Sequence, residues 1–136
     1  MSPIILLPLL LLALPAAAQT PAPAPLPPTL QTHPPDTIGA VLGRRVMDAN
    51  GEEIGRLVDI LIDRRGRPRA AVIDAGGFMG IGMRRVAVAW EALRFTIGGG
   101  ETGVASDLTL DEVAAAAEFK GTDSPVRVIG PRRTAP

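Results

Sequence analysis

The chain has 136 residues, with 14 basic side chains against 14 acidic ones, so its formal net charge is zero and no large field of one sign is expected. That balance weighs against nucleic-acid binding and against adsorption driven by bulk charge, because both need clustered positive charge. It has no cysteine, which excludes a disulfide, a thiolate nucleophile, a Cys-based metal site and a lipoprotein-type cysteine anchor.

Prolines crowd the N-terminal third and glycines crowd the centre, and this segregation maps the chain. Residues 1–18, MSPIILLPLLLLALPAAA, read as a secretory signal peptide. Ile4–Leu14 has the length of an h-region, and Ala16-Ala17-Ala18 fits a small-x-small cleavage site before Gln19. The run falls short of the ~20 residues of a bilayer span, and Pro8 interrupts it. The first residues carry no Lys or Arg, which departs from the usual pattern and keeps an uncleaved anchor as the alternative. Export puts the folded unit in the periplasm or outside the cell. Residues 19–37 form a Pro-rich, disordered tether, since proline fixes φ and lacks the N–H that a sheet requires. His33, the single histidine, sits in this tether, where a lone ligand on a flexible segment makes a poor metal site.

The folded domain is expected over 38–120. Val41–Met47 is the first strand candidate, and Asp48-Ala49-Asn50-Gly51 supplies a turn with Asn-Gly suited to positive φ. Ile54–Asp63 is the second strand. Ile54, Val58, Ile60 and Ile62 share one parity while Leu57 takes the other, and a bulge near Gly55 reconciles them because an extra residue flips the face. Arg64-Arg65-Gly66-Arg67 is a polar turn, Arg69–Ala75 the third strand, and Gly76–Gly82 a glycine-rich connector. Met83–Trp90 alternates most cleanly, with Val86, Val88 and Trp90 on one face and Arg85, Ala87 and Ala89 on the other. A helical turn at Glu91-Ala92-Leu93 precedes a fifth strand at Arg94–Ile97. Gly98-Gly99-Gly100 then returns the chain into Val104–Leu108. Thr109 and Glu112 have capping-box spacing, which places a short helix within Leu110–Phe119. Residues 121–136 hold three prolines and no clear period, and read as a disordered tail.

Short strands joined by Gly/Asn turns predict an all-β fold, a small β-barrel of about six strands with one short C-terminal helix. With roughly 80 residues folding, a stability of only ~5 kcal/mol is expected.

The ordered segments LGRRVMDANGEEIGRLVDILID and RAAVIDAGGFMGIGMRRVAVAWEALRF resemble the PRC-barrel family, and DLTLDEVAAAAEFK is similar to the tail of stand-alone bacterial members. The resemblance implies a compact β-barrel that serves in docking or assembly, with no catalytic residue to carry over. The family includes the cytoplasmic domain of the photosynthetic reaction-centre H subunit and the C-terminal domain of a ribosome-maturation factor. This chain lacks the transmembrane helix of the first and the partner domain of the second, so neither role transfers.

No residue pattern supplies a catalytic, cofactor-binding or metal site. Gly80-Ile81-Gly82 opens a strand, where a phosphate cradle needs a helix N-terminus. Asp48-Ala49-Asn50-Gly51-Glu52-Glu53 has glycine at the wrong place for a calcium loop, and reads as a turn with solvated acids. Asp59, Asp63 and Asp74 read as turn and strand charges paired with arginines rather than as an acid/base set. The candidate interaction surface comprises Arg44, Arg45, Arg64, Arg65, Arg67, Arg84 and Arg85, with Phe78, Met79 and Ile81 of the connector, which either fold back to cap the barrel end or form a partner-facing apolar patch. Arginine suits planar carboxylate or phosphate recognition. The expectation is therefore a non-enzymatic module that binds a protein partner. The alternative is an envelope protein that binds anionic lipid headgroups or another acidic ligand, at a membrane surface or in solution.

Overall fold

The computed structural model describes residues 2–76 and 84–133. Residues 2–31 carry no helix or strand and are exposed throughout, while Thr32–Pro136 form a separate compact unit. Among the described residues no helix is long and apolar enough to cross a membrane. Phe78, Met79 and Ile81 of the proposed connector patch lie outside the described residues.

The compact unit is one mixed sheet of seven strands with a single short helix. The strands are β1 (Arg45–Met47), β2 (Glu53–Ile62), β3 (Pro68–Ala75), β4 (Arg84–Ala89), β5 (Leu93–Gly98), β6 (Glu101–Ser106) and β7 (Val128–Ile129). The helix α1 spans Leu110–Ala115, and a 3-10 turn at Trp90–Ala92 joins β4 to β5. Sheet order is β5-β6-β1-β2-β3-β4-β7, with β1–β6 and β4–β7 parallel and the other pairs antiparallel.

The all-β expectation holds, but the ladder does not close into a barrel among the described residues. Consecutive strands β4 and β5, joined by the 3-10 turn, do not pair. Side chains from both ends of the sheet nevertheless share one core. Leu93 of β5 and Val104 of β6 join Val46, Leu57, Ile73, Val86, Val88 and the helix residue Val113 in one buried cluster. Trp90 packs half-buried against that cluster, its ring 4.7 Å from that of Phe95.

The bulge expected near Gly55 is present. Val46 faces Gly55 while Met47 faces Glu53, so Ile54 is the extra residue, and Ile54, Gly55 and Leu57 are all buried. Only glycine fits at position 55: a Cβ there would lie 2.2 Å from the Asp74 carbonyl oxygen. A second shift, between Leu57 and Asp59, makes Val58 another extra residue and turns Ile60 inward. A third shift follows Leu61 and leaves Ile62 63 % exposed, correcting the expectation that it shares the apolar face. On β4, Val86 and Val88 enter the core as expected, but Ala87 and Ala89 are buried as well.

Part of the C-terminal segment, expected as a tail, joins the sheet. β4 would otherwise be an edge of unpaired N–H and C=O groups. Phe119 N–H donates to the Arg85 carbonyl (2.7 Å), and β7 pairs beside Ala87 and Val88. Arg132 then closes an ion pair with Glu112 of α1.

The capping box forms as predicted. Glu112 N–H donates to Thr109 Oγ1 (3.2 Å), and Thr109 N–H to Glu112 Oε2 (2.8 Å). The helix nevertheless stops at Ala115, short of Phe119. At its end the backbone turns extended at Ala116, and the Arg84 guanidinium takes the carbonyls of Ala114 (2.8 Å) and Ala116.

Asp48 is not a solvated turn acid; it is 5 % exposed. Its Oδ1 accepts from the N–H groups of Asn50 (2.9 Å) and Glu52 (2.8 Å), and its Oδ2 from that of Leu110 (3.2 Å). One carboxylate therefore fastens the β1–β2 turn to the start of α1.

Candidate interaction face

The β-pleat sends successive side chains to opposite faces, and directly opposed residues on neighbouring strands share a face. Followed across the sheet, the register pairs Arg45 with Arg56, Arg56 with Asp74, and Asp74 with Arg85. These four residues form one row over β1–β4 on the face away from the core. The next row, Val46–Gly55–Ala75–Arg84, is the inward one, with its first three residues buried. Adjacent arginines in sequence thus do different work. Arg85 stands exposed in the outer row, while Arg84 is half-buried at the end of α1, where a cation complements the helix dipole.

The row is mixed in charge. Arg45, Arg56 and Arg85 are exposed and Asp74 is half-buried. Glu53 Oε2 lies 4.0 Å from Arg45 Nε, and Arg56 Nη1 donates to the Gly43 carbonyl (3.0 Å). One row further along β2, the exposed Asp59 faces Val72, which faces Ala87; Val72 and Ala87 are buried, so on β3 and β4 the outer face is already covered beyond the Asp74–Arg85 pair.

The other arginines of the expected surface are elsewhere. Arg44 is exposed, but its Nε donates to Ala40 O (3.3 Å), next to the turn that enters β1. Arg64, Arg65 and Arg67 are exposed in the β2–β3 turn, about 25 Å along the strand from Arg56 at ~3.3 Å per residue. That turn is built on Asp63. Its Oδ1 accepts from Arg65 N–H (2.8 Å) and Arg67 N–H (3.1 Å), and its Oδ2 from Arg67 Nε (3.1 Å). The Arg67 backbone N–H is the main reason the Asp63 carboxyl sits below its ordinary range; Arg65 N–H, the Arg67 side chain and the Arg69 charge add to it against partial burial.

The expected surface therefore divides: Arg45 and Arg85 fall in one row of the sheet, and the turn arginines lie away from it. Arg56 is the residue that the sequence reading left out. Its signal was the Gly55 bulge, which moves Arg56 off the apolar parity and into register with Arg45.

The remaining titratable groups are committed to structure. Burial alone would raise the Asp48 carboxyl, but the N–H groups of Glu52, Leu110 and Asn50 outweigh it and leave it below its ordinary value. Glu112 is lowered first by the Thr109 N–H of the capping box, and further by Arg132. Arg94 Nε and Asp107 Oδ1, 2.8 Å apart, tie β5 to the end of β6, and the bond raises the Arg94 guanidinium further. Among the described residues no group of three or more His, Asp or Glu side chains converges to hold a metal ion. A groove lined by Ala117–Gly121 and Ser124–Arg127 is walled entirely by that one loop.

A family model for the PRC-barrel domain matches residues 37–108, more than half of the chain. The chain belongs to the PRC-barrel family. A search of curated proteins found no match. The matched stretch contains β1–β6 and hence the whole outer row, while α1 and β7 lie beyond it.

Proposed function

We propose that this PRC-barrel protein is exported by its N-terminal segment and acts in the periplasm, or outside the cell, as a non-enzymatic interaction module. Its contact surface is the end row of β1–β4, since Val72 and Ala87 of the next row on that face are already buried. The observation that carries this reading is the row Arg45–Arg56–Asp74–Arg85, three exposed guanidinium groups on strands whose opposite face is the buried core. Such a backing fixes the backbone positions of the row, and with them the spacing at which a partner meets the three guanidinium groups. The absence of cysteine, the exposed His33 in the tether, and carboxylates already bound by backbone N–H groups at Asp48 and Asp63 all favour binding over catalysis.

A second reading, attachment to anionic lipid headgroups, draws on the same arginines. Asp74 and Glu53 lie among them and would meet the same headgroups, so a protein partner is favoured.

A photo-crosslinking residue at position 85, with position 65 as the distant comparison, tests the face in living cells. The expected result is a discrete crosslinked protein from position 85 alone, found in the periplasmic or secreted fraction. Equal products from both positions would reject the face, and a cytosolic product would reject export.

A further inference from the structure

We propose that the row Arg45–Arg56–Asp74–Arg85 recognises an extended acidic protein segment with two carboxylates four residues apart, laid across β1–β4 at a right angle to the strands. This rests on that row being the contact surface and names the chemistry of the partner. Three strand spacings of ~4.8 Å separate Arg45 from Arg85, a span of ~14 Å. An extended peptide rises ~3.3 Å per residue, so same-face side chains four residues apart stand ~13 Å from each other. One carboxylate then meets Arg45 and Arg56, and the other meets Arg85. Arginine's planar fork makes each a charge-assisted, bidentate contact.

The acids on the face set the pattern. Asp74, between Arg56 and Arg85 in the row, repels a continuous run of acids, so neutral residues are required in the middle of the segment. Asp59, exposed one row away, penalises a segment tilted along β2 and holds it on the row. Glu53 beside Arg45 weakens that guanidinium's hold, so Arg56 shares the first carboxylate with Arg45 while Arg85 holds the second. A bilayer has no fixed charge spacing to match to the row, whereas a peptide sets neutral residues against Asp74 and carboxylates against the arginines. The chain's zero net charge points the same way, toward recognition by position rather than by bulk field.

The test uses the full-length chain and a synthetic Thr/Val peptide carrying two glutamates four residues apart, read by fluorescence anisotropy at low and physiological salt. One comparison peptide has glutamines in their place, another has the glutamates two residues apart, and phosphatidylglycerol vesicles form a third arm. The spaced peptide is expected to bind, more weakly at higher salt, and to lose about tenfold in affinity in Arg85→Gln and in Arg56→Gln. Arg65→Gln leaves it unchanged, and Asp74→Asn tightens it. The two-apart peptide spans only ~6.6 Å, cannot reach Arg85, binds about tenfold more weakly and ignores Arg85→Gln. Melting curves for each variant separate lost contacts from lost folding.

Equal binding of the two spacings, indifference of the spaced peptide to Arg85→Gln in a folded protein, or arginine-dependent binding of vesicles but not of peptide would each overturn the proposal. A discrete crosslink from position 85 without any peptide binding would overturn it while leaving the contact face standing. Failure of both experiments would remove the face as well.

Discussion

In Gly55→Ala the new methyl meets backbone that cannot swing aside. The Cβ would lie 2.2 Å from Asp74 O, 2.9 Å from Asp74 C and 3.0 Å from Ala75 Cα, where ordinary contact begins near 3.4 Å. β2 and β3 must part locally by roughly 1 Å, because all three obstructing atoms are main chain. That stretches the ladder around Gly55–Ala75 and Arg56–Asp74 beyond good hydrogen-bond distance. Two weakened ladder bonds cost about 2 kcal/mol together, and overpacking adds ~1–3 kcal/mol. Restricting the unfolded chain returns ~0.4–1 kcal/mol, leaving a net loss of about 2–4 kcal/mol. For a domain of this size that lowers Tm by roughly 10–25 °C.

Thermal unfolding followed by circular dichroism measures it, with Gly103→Ala as the control. At Gly103 the nearest atom to the added Cβ is Thr96 Cβ at 3.6 Å, an ordinary contact, so that variant melts at the same temperature or slightly higher. Wild-type melting of Gly55→Ala, or an equal loss in Gly103→Ala, would refute the close approach at the bulge. It would also undo the register that places Arg56 beside Arg45.

Three further outcomes are expected. Val88→Asp buries a charge with no partner at a position 0 % exposed and abolishes the folded circular-dichroism signal, whereas Arg65→Asp in the exposed turn shifts stability by no more than ~0.5 kcal/mol. Arg84→Met removes the donors on Ala114 O and Ala116 O. It costs about 1–3 kcal/mol and speeds amide exchange in α1, while leaving crosslinking from position 85 intact. Asp48, Asp63 and Glu112 each have a folded pKa below the ordinary one, so their contribution is present above the unfolded pKa and is lost as pH falls through the folded value. Tm should hold near neutral pH and drop below about pH 4, and the gap between wild type and Asp48→Asn should narrow over that drop. A gap that widens in acid would contradict the assignment.

The strands were legible because the pleat is a local property. The Asp48–Gly51 turn and the Thr109–Glu112 capping box each declare themselves within a few residues, and both formed. On β4 the inward Val86 and Val88 were legible, but Ala87 and Ala89 are buried beside them, so the expected two-faced alternation did not form. Even the Gly55 bulge showed as a change of parity inside one strand. Less local features did not show. β7 is two residues between prolines, and only the unpaired edge of β4 explains it. Asp48 looked like any turn acid until α1 brought Leu110 N–H within reach of its second oxygen.

What the amino-acid sequence determined alone was the inventory of elements, the placement of an apolar run and a Pro-rich stretch ahead of them, and the family resemblance carried by their order. The tertiary structure decided which charges share a surface. Arg84 and Arg85 differ by one step of the pleat, and that step sends one to seal a helix end and the other to the outer face. Arg45, Arg56 and Arg85 come from three separate strands, and their alignment depends on long-range register. That register follows from burying Val46, Leu57, Ile73 and Val86 in one core, and no window of sequence contains it.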